Sequence, residues 1–225
     1  MQKQEVSYLV LQSTYDGVEV ALFKNARRLA LAHISKFTAS AQLIPTIQAC
    51  LKQHNTNLGG VSFICANLGP APFTTLRTTI VTANGISFVT KLPLVGVNGI
   101  AALAQSALPT EENLIVILNA FGKSIYYAIR TKQGVSYGWQ MLDEFIADVR
   151  YKFGLEKVAL VGQGVESITA ELDGLPNNFT IHQDCENFPT VDLIAQCGLK
   201  LYRDGLVSAT LQPLYLKQAE PFMAA

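Results

Sequence analysis

Val6-Ser7-Tyr8-Leu9-Val10-Leu11-Gln12, then Asp16-Gly17, then Val18-Glu19-Val20-Ala21-Leu22-Phe23 is the stretch whose reading decides the fold. The first run is apolar enough for a buried strand. Asp-Gly tolerates the positive φ angles of a tight hairpin, and the run beyond it alternates as a returning strand should. Arg27 to Ser35 alternates again through Leu29, Leu31 and His33 and completes a three-strand meander. Ser40 then reads as a helix cap before a stripe of Leu43, Ile47, Cys50, Leu51 and His54 at helical spacing. Pro45 interrupts that stripe and removes a backbone donor, which predicts a kink or a later helix start. Past Gly59-Gly60, Val61 to Ala66 reads as a short apolar strand, and after Gly69-Pro70 a second helix runs from Phe73 to about Phe88.

The order repeats in the second half. Leu114 to Leu118 is a buried strand, with Ser124 to Ile129 and Val135 to Tyr137 as its hairpin partners. Met141, Leu142, Phe145, Ile146, Val149 and Phe153 trace a helix, and Val158 to Val161 is again a short strand. Pro189 caps a last helix through Asp192, Leu193, Ala195, Cys197 and Leu201, and Pro213 ends it well before the tail. Meander, helix and strand thus occur twice without a long linker, which predicts a duplicated α/β chain. The expected N-terminal lobe covers 1–106 and the C-terminal lobe 107–206, with the tail 207–225 returning to the first. This pattern resembles the actin/Hsp70/sugar-kinase architecture, whose two lobes each carry a ribonuclease-H-like core.

Composition narrows the function. Of the 225 residues 49% are hydrophobic, mean hydropathy is +0.25, and only 15% are charged, against about a quarter in ordinary soluble domains. Either the core is large or part of the surface is covered by a partner. Lys+Arg and Asp+Glu both count 17, and Arg27-Arg28 is only a short basic cluster. Phosphate neutralisation supplies most nucleic-acid affinity, so any work on RNA is expected to run through another protein. Cys50, Cys65, Cys185 and Cys197 form no C-x-x-C pair and read as free core thiols of a reducing compartment. His33, His54 and His182 lack metal-ligand spacing. The polar N-terminus and the lack of a membrane-length apolar run point to a cytoplasmic protein with no membrane contact.

Four blocks in order carry a family resemblance. Gly69-Pro70-Ala71-Pro72-Phe73-Thr74-Thr75-Leu76-Arg77 resembles the G-P-G-S-F-T-G-[LV]-R signature of the TsaB family. Leu92-Pro93-Leu94-Val95-Gly96-Val97-Asn98-Gly99-Ile100-Ala101-Ala102-Leu103-Ala104 is similar to its P-[LM]-[VI]-G-V-S-[ST]-L-x-x-[LM]-A. Leu43-Ile44-Pro45-Thr46-Ile47 matches L-L-P-x-[IV], and Pro213-Leu214-Tyr215-Leu216-Lys217 matches P-x-Y-L-R. The resemblance implies a non-catalytic scaffold subunit of the machinery that makes threonylcarbamoyladenosine in tRNA. Such a subunit pairs with a TsaD-type catalytic subunit, or with itself, supports a TsaE-type ATPase, and meets tRNA only indirectly.

The departures from the family pattern bear on chemistry. Of three loop glycines only Gly69 remains, and Pro72 lacks an N–H, so the loop is a poor phosphate cradle. Gln12-Ser13-Thr14 stands where the family commonly has D-T-S, and Asn119-Ala120-Phe121 where it has D-A-R. Mg²⁺ wants carboxylate oxygens at such strand ends, so Gln12, Ser13, Thr14 and Asn119 read as a vestigial nucleotide site with no cofactor. An M22-type glycoprotease or peptidase is the alternative, and a sugar-kinase-like ATPase a third reading. The first would need paired metal ligands such as His-x-x-x-His, and the second a glycine-rich loop with carboxylates. Segments 40–54 and 73–89 resemble the helix pair through which the family meets its partner. The expected partner-binding residues are Leu43, Ile47 and Leu51 with Phe73, Thr74, Leu76, Arg77, Thr78, Ile80 and Val81. Leu76 and Ile80 also face the core on this reading. Threonine is a poor helix former, so packing must hold the second helix.

Overall fold

A computed structural model describes residues 5–166 and 178–217, and the chain divides into two compact units. The first comprises Met1–Ala102 with Thr190–Leu214, the second Leu103–Pro189 with Tyr215–Ala225.

In the first unit β1 (Ser7–Ser13), β2 (Gly17–Lys24) and β3 (Arg27–Ser35) form the antiparallel meander. β4 (Phe63–Asn67) lies parallel to β1, and β5 (Leu94–Val97) parallel to β4, giving the order β3-β2-β1-β4-β5. Side chains alternate across the pleat. Leu9, Leu11, Val20, Leu22 and Ile64 enter one core with α1 (Ala39–Gln53) and α2 (Phe73–Thr90). Tyr8, Phe63 and Cys65 face α5 (Val191–Arg203) on the other side. There the rings of Phe23, Tyr8, Phe63 and Tyr202 stack in sequence at 5.4, 4.5 and 4.3 Å between centroids. The Tyr8 hydroxyl donates to Asn25 O and Ala195 O at 2.9 and 3.3 Å, which satisfies that buried polar atom. Burial pushes its pKa well above the usual 10.0.

Several elements differ from the sequence reading. α1 begins at Ala39 behind Thr38, which makes no side-chain cap bond, and runs through Pro45 on its exposed side. The later start is thereby ruled out. The strand β5 and the helix α3 (Gly99–Ser106) occupy the stretch read only as a motif. The sequence reading also put residues up to 206 in the second lobe, whereas α5 belongs to the first unit. Amphipathic spacing says that a helix must cover a sheet, not which one. Thr190 caps this helix by accepting the Leu193 N–H at 3.3 Å, and its apolar side meets Tyr8, Phe63 and Cys65. The tail then follows the first unit through a two-way bridge between Leu94 and Ser208. Asn84 of α2 next grips Leu211 by donating to its carbonyl at 2.9 Å and accepting its N–H at 2.8 Å. The last eight tail residues lie outside the described ones.

In the second unit β6 (Leu114–Asn119), β7 (Ser124–Thr131) and β8 (Gly134–Met141) repeat the meander. β9 (Val158–Val161) and β10 (Phe179–Ile181) add parallel strands, and the order β10-β9-β6-β7-β8 matches the first sheet strand for strand. α4 (Leu142–Phe153) buries Phe145, Val149 and Phe153 against Ile115, Ile117 and Ile125. Its acidic first turn (Asp143, Glu144) and basic last turn (Arg150, Lys152) complement the helix dipole. From β7, the Arg130 guanidinium reaches back to the end of α3. It donates to Ala104 O and Ala107 O at 2.7 Å, Leu108 O at 2.6 Å and Glu111 O at 2.9 Å. Lys217 lies over the Trp139 ring at 5.5 Å and donates to Ser124 Oγ at 3.1 Å.

Candidate partner-binding helix layer

The loop Gly69–Pro72 delivers the chain into α2. Gly69 has φ +114 and its position leaves no comfortable room for a side chain, with Leu76 Cδ2 3.1 Å from where a Cβ would stand. That is why this glycine of the motif is kept. At the two other glycine positions of the motif the chain carries Ala71 and Thr75. Pro72 stands at the helix N-cap, and Thr75 donates to Pro72 O at 3.1 Å. Ser13, at the end of β1, donates to Thr75 Oγ1 at 2.7 Å, and Thr79 donates to Thr75 O at 2.8 Å. The strand-end hydroxyl is thus spent on helix α2.

Gln12 and Ser13 are 1% and 0% exposed. Thr14 closes the β1–β2 turn, its N–H donating to Gly17 O at 2.9 Å and its Oγ1 accepting the Gly17 N–H at 3.1 Å. In the second unit Asn119 Oδ1 accepts the Phe121 N–H at 2.7 Å, opening a turn in which Phe121, Gly122 and Lys123 all have positive φ. All four residues therefore make local structural bonds or lie in the core, and no carboxylate stands at either strand end. Among the described residues no group of three or more His, Cys, Asp or Glu is arranged to hold a metal ion. Cys65 is buried beside Cys197 and donates to Ile194 O at 3.6 Å; burial and that neighbour push its thiol pKa far up, away from nucleophilic use.

The residues expected at a partner surface split into two sets. Leu43, Ile47, Leu51, Leu76 and Ile80 are core, all at 3% exposure or less. They hold the two helices on the sheet and do not themselves present a surface. Phe73, Thr74, Arg77 and Val81 are exposed, and Thr78 is half-buried with its hydroxyl turned back onto Thr74 O at 2.9 Å. The sequence reading missed Ile44 on α1 and Phe88 and Val89 on α2. With Phe73 and Val81 these are 52–78% exposed, and α1 packs beside α2. Burying one such side chain is worth about 1.5–3 kcal/mol, so five apolar side chains left in water on one helical layer are a substantial cost to the isolated chain. The signal was present in the sequence as apolar positions beyond what one core stripe needs.

Charge is segregated along the chain although it sums to zero. Residues 20–110 contain seven basic residues (Lys24, Arg27, Arg28, Lys36, Lys52, Arg77, Lys91) and no Asp or Glu. The other ten basic residues share the rest of the chain with all 17 acids.

The sequence model of TsaD, tRNA N6-adenosine threonylcarbamoyltransferase, matches residues 34–181. The TsaB protein of Buchnera aphidicola, a tRNA threonylcarbamoyladenosine biosynthesis protein, is 26% identical over 55% of this chain and 57% of its own length. Its Haemophilus influenzae counterpart is 23% identical over 61% of each. The chain thus spans about three fifths of the curated relatives it matches. Among solved structures, a Pseudomonas aeruginosa protein similar to the peptidase YeaZ superposes with TM-score 0.73 at 19% identity, covering 94% of this chain and all of that one. A candidate N-acetylmannosamine kinase of Listeria monocytogenes gives 0.56 at 8% identity over 88% of this chain and all of its own. The fold is accordingly the duplicated actin- and sugar-kinase-like α/β type. Among the described residues no helix is long and apolar enough to cross a membrane. With two thirds of its length matched by the family model and its curated relatives bearing the TsaB name, the chain belongs to the family of the tRNA threonylcarbamoyltransferase TsaD, as a member of its TsaB type.

Proposed function

We propose that this chain is a non-catalytic scaffold subunit of the cytoplasmic complex that makes threonylcarbamoyladenosine in tRNA. On this reading the α1/α2 layer pairs with a TsaD-type catalytic subunit, the pair supports a TsaE-type ATPase, and tRNA is met through those partners. The exposed apolar residues of α2 carry the reading, because they are surplus to its core stripe. The strand ends support it from the other side: Gln12 and Ser13 lie buried where a nucleotide-binding relative of this fold needs accessible acids.

The test is Val81→Glu. Val81 is 68% exposed, so the free chain should keep its thermal midpoint within about 2 °C. Calorimetric affinity for the TsaD-type subunit should fall by several kcal/mol, as a charge is forced into a desolvated interface. Unchanged affinity would move the interface elsewhere.

A further inference from the structure

Among the described residues the two sheets end on four edge strands, β3 and β5 in the first unit and β8 and β10 in the second. An open edge is a row of unpaired backbone donors and acceptors, which proteins blunt with charge, proline, shortness or a cover. Three of the edges are treated so. β3 opens on the exposed Arg27 and Arg28, β5 is bridged in both directions between Leu94 and Ser208, and β10 is three residues long. β8 is not. It runs for eight residues, Gly134 to Met141, without a charge or a proline.

Two bonds fix which of its peptide groups are open. The Ala120 N–H donates to Ser124 O at 3.1 Å, which turns the peptide groups of Ser124 toward β6 and away from its β8 partner Met141. One register step on, the Leu142 N–H donates to Lys123 O at 3.0 Å. Antiparallel pairs alternate from there. Ser136, Gly138 and Gln140 therefore bond to β7, while Val135, Tyr137, Trp139 and Met141 turn their N–H and C=O groups to the open side. Side chains alternate as well. Gln140 Nε2 donates to Asp148 Oδ2 of α4 at 2.7 Å, so α4 flanks one side of the edge, with Asp143, Glu144 and Asp148 exposed. One turn further, Lys152 lies over the Phe153 ring at 5.6 Å. The opposite side carries Tyr137 and Met141, 44% and 39% exposed, and Trp139 beneath Lys217.

We propose that β8 accepts an extended segment of another protein as a sixth strand of its sheet, and that this segment alternates apolar with basic residues. Backbone bonds to the four open residues supply affinity, and the alternate side chains choose the partner. Apolar side chains of the segment fall on Tyr137 and Met141, and basic ones fall beside the α4 carboxylates. A second copy of β8 brings no cation to those acids, and RNA brings only more anions. β8 belongs to the second unit, so its occupancy is read separately from Val81→Glu.

The experiment titrates the full chain with an eight-residue peptide of alternating lysine and valine. The readouts are the emission of Trp139, the single tryptophan, and amide hydrogen exchange by NMR. Binding should slow exchange at Val135, Tyr137, Trp139 and Met141 by at least about tenfold and leave Ser136, Gly138 and Gln140 as they were. A twin with glutamate for lysine, and a peptide with a central proline, should each bind at least about tenfold more weakly. Tyr137→Pro deletes an edge donor where the ring is tolerated, and should abolish binding in a chain that still folds. If that variant unfolds, the proline peptide asks the same question of the unaltered protein. Equal affinity for the glutamate twin overturns the choice of partner. Protection that is absent, or uniform along β8, overturns strand addition. Protection of the four amides that grows with protein concentration alone makes a second copy the occupant. An eight-nucleotide uridine RNA that shifts Trp139 where the peptide does not makes the face a platform for bases. Either of these last two results also overturns the proposal.

Discussion

Replacing Arg130 by methionine keeps an apolar stem of similar length and deletes the guanidinium that gathers the carbonyls of Ala104, Ala107, Leu108 and Glu111. A hydrogen bond from a charged donor is worth about 1.5–3 kcal/mol, and the four here share one partly exposed group. Water refills some of the lost bonds, so the whole set should be worth about 3–5 kcal/mol. The charge at the C-terminal end of α3 adds about 0.3–1 kcal/mol within that range. Burial acts against the Arg130 charge and nearby Glu111 acts for it, and the four carbonyl oxygens face the cation. For a chain of this size about 2–4 °C of melting temperature corresponds to each kcal/mol, which places Arg130→Met roughly 6–20 °C below the parent. Arg130→Lys keeps the charge but loses the planar fork, and should recover about half of that loss. Differential scanning calorimetry gives both numbers. A methionine variant melting within about 2 °C of the parent would refute the clamp, and a lysine variant equal to the parent would refute the fork.

Gly198 of α5 lies so close to the Cys65 sulfur that a Cβ there would overlap it. Gly198→Ala should cost about 1–3 kcal/mol, and the pair with Cys65→Ala should lose less than the sum of the single variants by at least about 0.5 kcal/mol in urea denaturation; strict additivity would deny the contact. Stability should also fall on the alkaline side. The unfolded chain ionises its thiols near 9.0 and its phenols near 10.0, whereas folding holds Cys65 and Tyr8 neutral well beyond those values. Their stabilisation is therefore complete below pH 9 and is lost as pH rises, each group adding a slope of about 1.4 kcal/mol per pH unit above its unfolded pKa. Cys65→Ala should flatten the decline in chemical-denaturation midpoints that begins near the thiol value; an unchanged profile would show that this thiol does not contribute.

The meander was legible because a turn signal at Asp16-Gly17 separates two apolar runs, although neither residue takes the positive φ that the dipeptide tolerates and Gly17 instead opens β2; α4 was legible because its apolar residues keep one helical face. The allegiance of α5 was not, since the residues it covers (Tyr8, Phe63, Cys65) lie more than a hundred positions upstream and no local pattern names them. β10 is three residues with one half-buried and two exposed positions, too short and too polar for alternation to register. At the candidate site the sequence yielded the right helices but mixed two kinds of residue. α2 carries apolar or small residues on both sides, so periodicity could not separate the core set around Leu76 and Ile80 from the surface set around Val81 and Phe88. The electrostatic character of that surface was hidden by arithmetic: a sum of zero conceals ninety-one consecutive residues without an Asp or Glu.

Trp139 is the single tryptophan of the chain and sits in the second unit under the Lys217 ammonium. Its emission is therefore a private channel for that unit, while backbone dichroism sums over both. Coincident melting curves in the two signals would mean that the units unfold as one cooperative block, and separated curves that one outlives the other. Because an ammonium above an indole perturbs its excited state, detachment of the tail at Lys217 should register as a spectral change preceding any loss of secondary structure. The chain thus carries an intrinsic, label-free reporter for whether occupying the helix layer of the first unit is felt at the far end of the polypeptide.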